Sequence, residues 1–287
     1  MIGSTMNRRG FLRALAGSAL LAGCSPLAVV NGLVPSGTYR ATKDLRYGQH
    51  PRQALDVYQP ASTTAPRPVV VFFYGGNWNA GARGGYLFAG EALASKDIVA
   101  VIPDYRLYPE VRFPDFLHDC AAAVRWTFEH IAEFGGDPSR VFLMGHSAGA
   151  YNAAMLALDP EYLRAANVDR RRIRGLIGLA GPYDFLPLTG EVTRAVFGYP
   201  DTPPTTQPIH FASAGDPPAL LVTGDADHTV DPGNSARLAA RLRKSGVPVQ
   251  EIVYPGVSHT RLVGALAAPF RRVAPVLEDV AAFVNAK

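Results

Sequence analysis

A chain of 287 residues with 48% hydrophobic and 18% charged content is globular and long enough to bury a sizeable core. Its formal charge of +4 does not argue for a nucleic-acid partner: Arg8, Arg9 and Arg13 contribute three of those charges in a segment that reads as removable, while "RRRIR" from Arg170 and "RLRK" from Arg241 read as solvated faces. With two cysteines and no CxxC or His/Cys ligand spacing, neither a metal nor a cofactor is expected.

The first elements form an address. "MNRRGFLRALAGSALLAGCSP" starts at Met6 with two arginines, continues through an apolar run too short to cross a bilayer, and ends in Leu21-Ala22-Gly23-Cys24. The Arg-Arg-x-Phe-Leu pattern resembles a twin-arginine signal, and "LAGC" resembles a bacterial lipobox with Cys24 as the acylated residue. Residues 1–23 are therefore expected to be an export signal, 24–38 a tether and 39–287 one domain. Acylation of Cys24 would hold the mature chain on the cell envelope by its lipid, facing the periplasm or on the outer membrane. An ordinary secretory signal with Cys24 incidental is the alternative.

Strands and helices then alternate. "QALDVYQP" (53–60) alternates like a half-buried strand, and "PVVVFFY" (68–74) is continuously apolar like a central one. A helix near 86–95 precedes the strand "DIVAVIPDY" (97–105), and a long helix fills 113–135, opened by Pro114 and closed by Gly135. Its Cys120 reads as a buried small hydrophobe. "RVFLMG" (140–145) is a strand followed by an alanine-rich helix after Ser147. Strands over 173–181, 218–224 and 250–256 and helices over 232–245 and 274–286 complete the pattern, with 200–218 a proline-rich loop. This alternation predicts a mostly parallel twisted sheet of about eight strands with helices on both faces.

The strand-to-helix junction Gly145-His146-Ser147-Ala148-Gly149 is G-x-S-x-G. A serine on such a sharp turn needs a strained backbone, and glycines two positions either side relieve the crowding. The turn lifts the hydroxyl above the sheet edge and aims the N–H of Ala148 at whatever the serine attacks. A hydroxyl needs a base, and in this architecture acid and histidine follow the serine in that order. Among seven histidines, His210, His228 and His259 follow Ser147 with room for an acid between. His259, on the loop after the last strand, is the expected base. His210 lies in the proline-rich loop, His228 adjoins the acids, His146 flanks the turn, and His118 and His130 read as helix-surface residues. "GDADHTVD" offers Asp225 at a strand tip and Asp227 further along the loop. Asp227 is better placed to reach His259, while Asp231 suits the N-cap of the next helix. In "YGGNWNAG" (74–81) two glycines allow close backbone approach, making the N–H groups of Gly76 and Asn77 the further oxyanion donors beside Ala148. Trp78 either lines the acyl pocket or packs beneath the loop.

With "LDVYQP", "DYRLYP", "EFGGDPSRVFLMGHSAGA" and "GDADHTV", the chain resembles the α/β-hydrolase superfamily over about 47–282. It looks closest to the esterase/lipase branch with an H-G-G-x-W oxyanion loop, which includes carboxylesterases, feruloyl-esterase-like proteins, kynurenine formamidases and prenylcysteine methylesterases. The resemblance implies a Ser147–Asp227–His259 triad, oxyanion donors at Gly76, Asn77 and Ala148, and hydrolysis of a small-molecule carboxylic ester through an acyl-enzyme. Tyr74 stands where that branch has histidine, so its side chain is expected to help shape the loop and the substrate pocket. The same triad could cleave an arylformamide, and a catalytically dead envelope-binding module is the reading from another class. Acyl and alcohol preference are expected to depend on the insertion over 185–218.

Overall fold

The computed structural model describes residues 26–62 and 65–286. The expected export signal and Cys24 lie outside those residues. Among the described residues no helix is long and apolar enough to cross a membrane.

Strands β1 (Tyr39–Arg46), β2 (Ala54–Pro60), β3 (Arg67–Phe73), β4 (Val99–Pro103), β5 (Gly136–His146), β6 (Ile173–Leu179), β7 (Ala219–Gly224) and β8 (Val249–Tyr254) form one sheet. Their order is β1-β2-β4-β3-β5-β6-β7-β8. The pairs β1·β2 and β2·β4 are antiparallel, and every other pairing is parallel. Helices α1 (Pro26–Gly32), α2 (Leu87–Ala94), α3 (Asp115–His130), α4 (Ala148–Leu158), α5 (Pro160–Ala165), α6 (Glu191–Phe197), α7 (Gly233–Lys244), α8 (His259–Gly264) and α9 (Val276–Asn285) fill the connections.

The burial of each element follows its composition. Val69 to Phe73 are wholly buried, as a β-branched and aromatic run in a strand covered on both faces requires. Helix α4 is buried on all sides because "AGAYNAAMLAL" is built mainly from small and apolar residues that admit close neighbours. Helix α7 has a buried stripe (Leu238, Ala239, Leu242) and an arginine-rich outer face.

Three differences from the sequence reading have physical causes. Strand β1 was not expected: "YRATKDLR" is an edge strand with no fully buried position, so it carries no hydrophobic alternation to betray it. The expected tether contains α1, which Asn31 ties to the body by donating from Nδ2 to the Gly84 carbonyl and accepting from the Phe88 N–H. The long helix stops at His130 and finishes in one 3₁₀ turn, Ile131–Phe134.

The strand order positions the site. The chain moves outward from β3 to β4, then returns across β3 to β5, so β3 and β5 are neighbours whose following loops diverge. In open α/β sheets ligands bind beyond the carboxyl ends of the strands at such a reversal.

Candidate active site

Strand β5 ends at His146, and α4 starts at Ala148. Between them Ser147 holds φ 56° and ψ −125°, a conformation most side chains avoid. Its N–H donates to the Leu179 carbonyl at 2.9 Å, which fixes the turn to β6. The flanking glycines are there for space. A Cβ on Gly145 would lie 2.1 Å from the carbonyl oxygen of Gly149, and one on Gly149 would lie 2.0 Å from that of Phe73.

The structure brings His259 and Asp227 together. His259 Nδ1 lies 2.7 Å from Asp227 Oδ2, and both side chains are buried. The other carboxylate oxygen of Asp227 accepts the N–H groups of Thr229 and Val230, each at 2.9 Å. A carboxylate so fixed can only accept, so His259 donates from Nδ1, and in the neutral ring the lone pair is on Nε2. Asp225 is exposed and does something else: it accepts the Gly256 N–H at 2.6 Å, tying the tip of β7 to the turn after β8. Asp231 accepts the Gly233 N–H at 3.0 Å at the start of α7, close to the capping role expected of it.

The remaining histidines fall where the sequence placed them or further from the site. His210, His228 and His118 are exposed, and His130 pairs with Glu133 on the surface. His146 is buried against His259, ring centroids 4.6 Å apart, and its Nε2 lies 3.1 Å from the His259 carbonyl oxygen. Burial, then the charge on His259, pushes its pKa down to about 3. Cys120 is buried beneath α4, and burial raises its thiol pKa well above the ordinary range, so it is no nucleophile.

After β3 the chain turns through Gly75 to Gly81. Gly76 has φ 134°, and a Cβ there would meet the Ala80 carbonyl oxygen at 2.2 Å, so only glycine fits. Asn77 and Trp78 are also left-handed, at φ 54° and 57°. Gly76, Asn77 and Ala148 line one cavity together with Ser147 and His259.

Trp78 meets both alternatives raised for it: it lines the cavity yet is 2% exposed. Its indole N–H donates to Asn152 Oδ1 at 3.0 Å, and its ring meets Tyr151 and Phe197 edge-on and Phe185 in a stack. Tyr74, expected in the substrate pocket, is corrected by its position: it does not line the cavity. Its fully buried ring is sandwiched between Tyr86 and Tyr105. The hydroxyl donates to Asp104 Oδ1 and accepts from Arg52, both at 2.7 Å. Burial pushes the phenol pKa far up, so it stays a neutral donor. It therefore props the loop from inside.

That prop belongs to a cluster the sequence did not reveal. Arg52 also donates to the Gly81 carbonyl at 2.9 Å and the Tyr105 carbonyl at 2.7 Å. Arg83 pairs with Asp56 at 2.9 Å and with Asp104 and Asp44. The partners lie tens of residues apart, so no spacing could have announced them.

The cavity holds about 1000 Å³. Its lining includes apolar side chains (Trp78, Phe185, Leu186, Val230) and Arg237, which pairs with Asp184 at 2.6 Å and Asp231 at 3.2 Å. Phe185, Leu186, Thr189 and Thr193 come from the insertion between β6 and β7, in part as the sequence suggested. Chemically, the arrangement sets a strained hydroxyl, a carboxylate-oriented imidazole and backbone N–H groups around one space, the set acyl transfer requires.

Comparison with known proteins agrees. The chain is 29% identical to a probable isoprenylcysteine alpha-carbonyl methylesterase of Arabidopsis thaliana, over 91% of its own length and 60% of the relative's. It is 28% identical to Esterase LipC of Mycobacterium tuberculosis, over 89% and 68% of the two chains. It thus spans about 60% of the length of the plant relative. Among solved structures, esterase B of Lactobacillus rhamnosis shares the fold, with a TM-score of 0.78 at 21% identity over 96% of both chains. The propionate-bound Thermogutta terrifontis esterase 2 superposes with a TM-score of 0.70 at 25% identity, over 88% of this chain and 96% of that one. The sheet, its reversal between β3 and β5 and the serine at the strand-to-helix turn are those of the α/β-hydrolase fold; residues 55–242 match the model of the BD-FAE family, and the chain belongs to that family.

Proposed function

We propose that this chain hydrolyses carboxylic esters through an acyl-enzyme on Ser147. His259 Nε2 takes the hydroxyl proton as Ser147 Oγ attacks the ester carbonyl. Asp227 keeps the imidazole in the required tautomer and stabilises the positive charge it acquires. The N–H groups of Gly76, Asn77 and Ala148 hold the negative oxygen of the tetrahedral intermediate. The imidazolium then returns its proton to the departing alcohol. Water, deprotonated by the same nitrogen, releases the acid and restores Ser147. The supporting relatives are named esterases, and Thermogutta terrifontis esterase 2, at 25% identity, is described as phosphoramylated by tabun, an organophosphorus agent.

The observation that carries this reading is the 2.7 Å bond between His259 and a carboxylate of no exposure, beside a serine in a strained turn. Ser147→Ala is expected to lower kcat on a nitrophenyl ester by about 10⁴–10⁶-fold and to abolish labelling by a fluorophosphonate probe. Wild-type turnover retained by the purified alanine variant would remove the basis of the proposal.

A further inference from the structure

Of the buried titratable groups that the mechanism above leaves unused, one touches the base. His146 precedes Ser147 directly, its side chain is enclosed, and its Nε2 lies 3.1 Å from the carbonyl oxygen of His259. A carbonyl can only accept, so Nε2 carries the hydrogen and Nδ1 is a bare lone pair. That Nδ1 is buried and has no hydrogen-bond partner among the described residues. An apolar ring of similar size would fill the same space without stranding a polar atom. A purely space-filling role therefore does not account for an imidazole here; a donor aimed at residue 259 does.

We infer that His146 is a positioning residue for the base: its Nε2–H holds the main chain of His259, and the residue that follows it in the chain is the nucleophile of the proposed mechanism. The inference rests on the esterase reading of the site. His146, the last residue of β5, thereby holds the backbone of His259 at the start of α8, and Ser147 follows it directly at the turn into α4. Nucleophile and base are set by a single turn of chain, and Asp227 fixes the remaining freedom of the ring from the opposite nitrogen. Neutrality suits the task. A lysine or arginine at 146 would repel the imidazolium that forms on His259, whereas an imidazole with a strongly lowered pKa stays uncharged through the reaction and does not compete for the serine proton.

The test contrasts two amides at position 146. The amide nitrogen of His146→Gln falls near the place of Nε2 and can still donate to the His259 carbonyl. That of His146→Asn falls near Nδ1 and cannot. With both folded by thermal melt, the asparagine variant is expected to lose about 10–10²-fold in kcat with KM little changed, the size of penalty a misplaced catalytic group carries. The glutamine variant should recover most of that loss. Equal kcat for the two amides, or a loss confined to KM, would overturn the inference. If the asparagine variant fails to fold, His146→Phe replaces it as the donor-free variant with the same expectation; if the glutamine variant fails, wild type serves as the donor-bearing arm, and a donor-free variant with wild-type kcat, or with a loss confined to KM, overturns the inference. Wild-type protein that neither hydrolyses the ester nor labels at Ser147 would instead sink the esterase reading, so the two failures are told apart.

Discussion

The two sides of the cavity are held in place by different physics. On the base side, every reacting group is fixed by hydrogen bonds with its own or an adjoining segment: Asp227 by the N–H groups two and three residues on, His259 by Asp227 and His146, Ser147 by the Leu179 carbonyl. On the oxyanion side, the loop from Gly75 to Gly81 is closed by its own backbone, the Asn79 and Ala80 N–H groups donating to the Gly76 carbonyl, and is held at Trp78 by the Tyr108 N–H. It lies on stacked tyrosines, an aromatic cluster around Trp78 and the guanidinium of Arg52. In the proposed mechanism the first side contains the groups that change charge, so small errors in placement are costly there. The second presents main-chain dipoles, whose placement is secured by a rigid floor. Substitutions on the base side should therefore cost activity before stability, and those under the oxyanion loop stability before activity.

The sharpest test of that contrast is within "GDADH". Asp227→Asn keeps the shape but cannot hold the correct tautomer of His259, and kcat is expected to fall by about 10⁴-fold with the melting temperature little changed. Asp225→Asn, two residues away, replaces an exposed carboxylate that bonds the Gly256 N–H, and kcat should remain close to wild type. Steady-state kinetics on one ester decides it. A comparable loss at both positions would mean that the loop, not the carboxylate, is what matters.

The same contrast explains what the sequence disclosed. The G-x-S-x-G turn and the acid loop are readable because their constraints are local, and the base follows from the chain order such a turn implies. Gly145 must clear Gly149, and Asp227 accepts from residues 229 and 230, so a few neighbouring letters carry the geometry. The parallel core was readable too, since runs such as Val69 to Phe73 are buried on both faces. Strand β1 was not, because an exposed edge has no hydrophobic period. Nor was the inward turn of Tyr74: its fate depends on Arg52, Asp104, Tyr86 and Tyr105, separated along the chain and joined only when β3 and β4 pair. A tyrosine beside a glycine-rich loop at a strand end suggests a pocket wall until those partners are known.

Acid separates the two sides on a smaller scale. The pKa of His146 is held at about 3 in the fold, against an ordinary value of 6.5. Between those values the unfolded chain binds a proton that the folded chain refuses, so stability is full above about pH 6.5 and falls as pH is lowered towards 3. The slope from this one group approaches about 1.4 kcal/mol per pH unit. Denaturant unfolding of wild type and His146→Gln between pH 7 and 5 should show the wild type losing stability more steeply. Parallel curves would indicate that the imidazole is protonated without difficulty, and the base side would lose its claim to a neutral clamp.

The smallest expected effect lies under the oxyanion loop. Tyr74→Phe retains the ring between Tyr86 and Tyr105 and removes only the hydroxyl that joins Asp104 to Arg52. Arg83 still pairs with Asp104, and Arg52 still reaches the Gly81 carbonyl, so the loop keeps its tether. The buried Asp104 oxygen loses a donor, at a cost of about 1–2 kcal/mol in stability. For a domain of this size that is a fall of about 2–8 °C in melting temperature. The kcat on a short ester should change by less than about threefold, because the N–H groups of Gly76 and Asn77 are set by the backbone and not by this hydroxyl. If instead the phenylalanine variant melted like wild type and lost most of its turnover, the oxyanion side would be tuned residue by residue like the base side, and a rigid floor would no longer explain it.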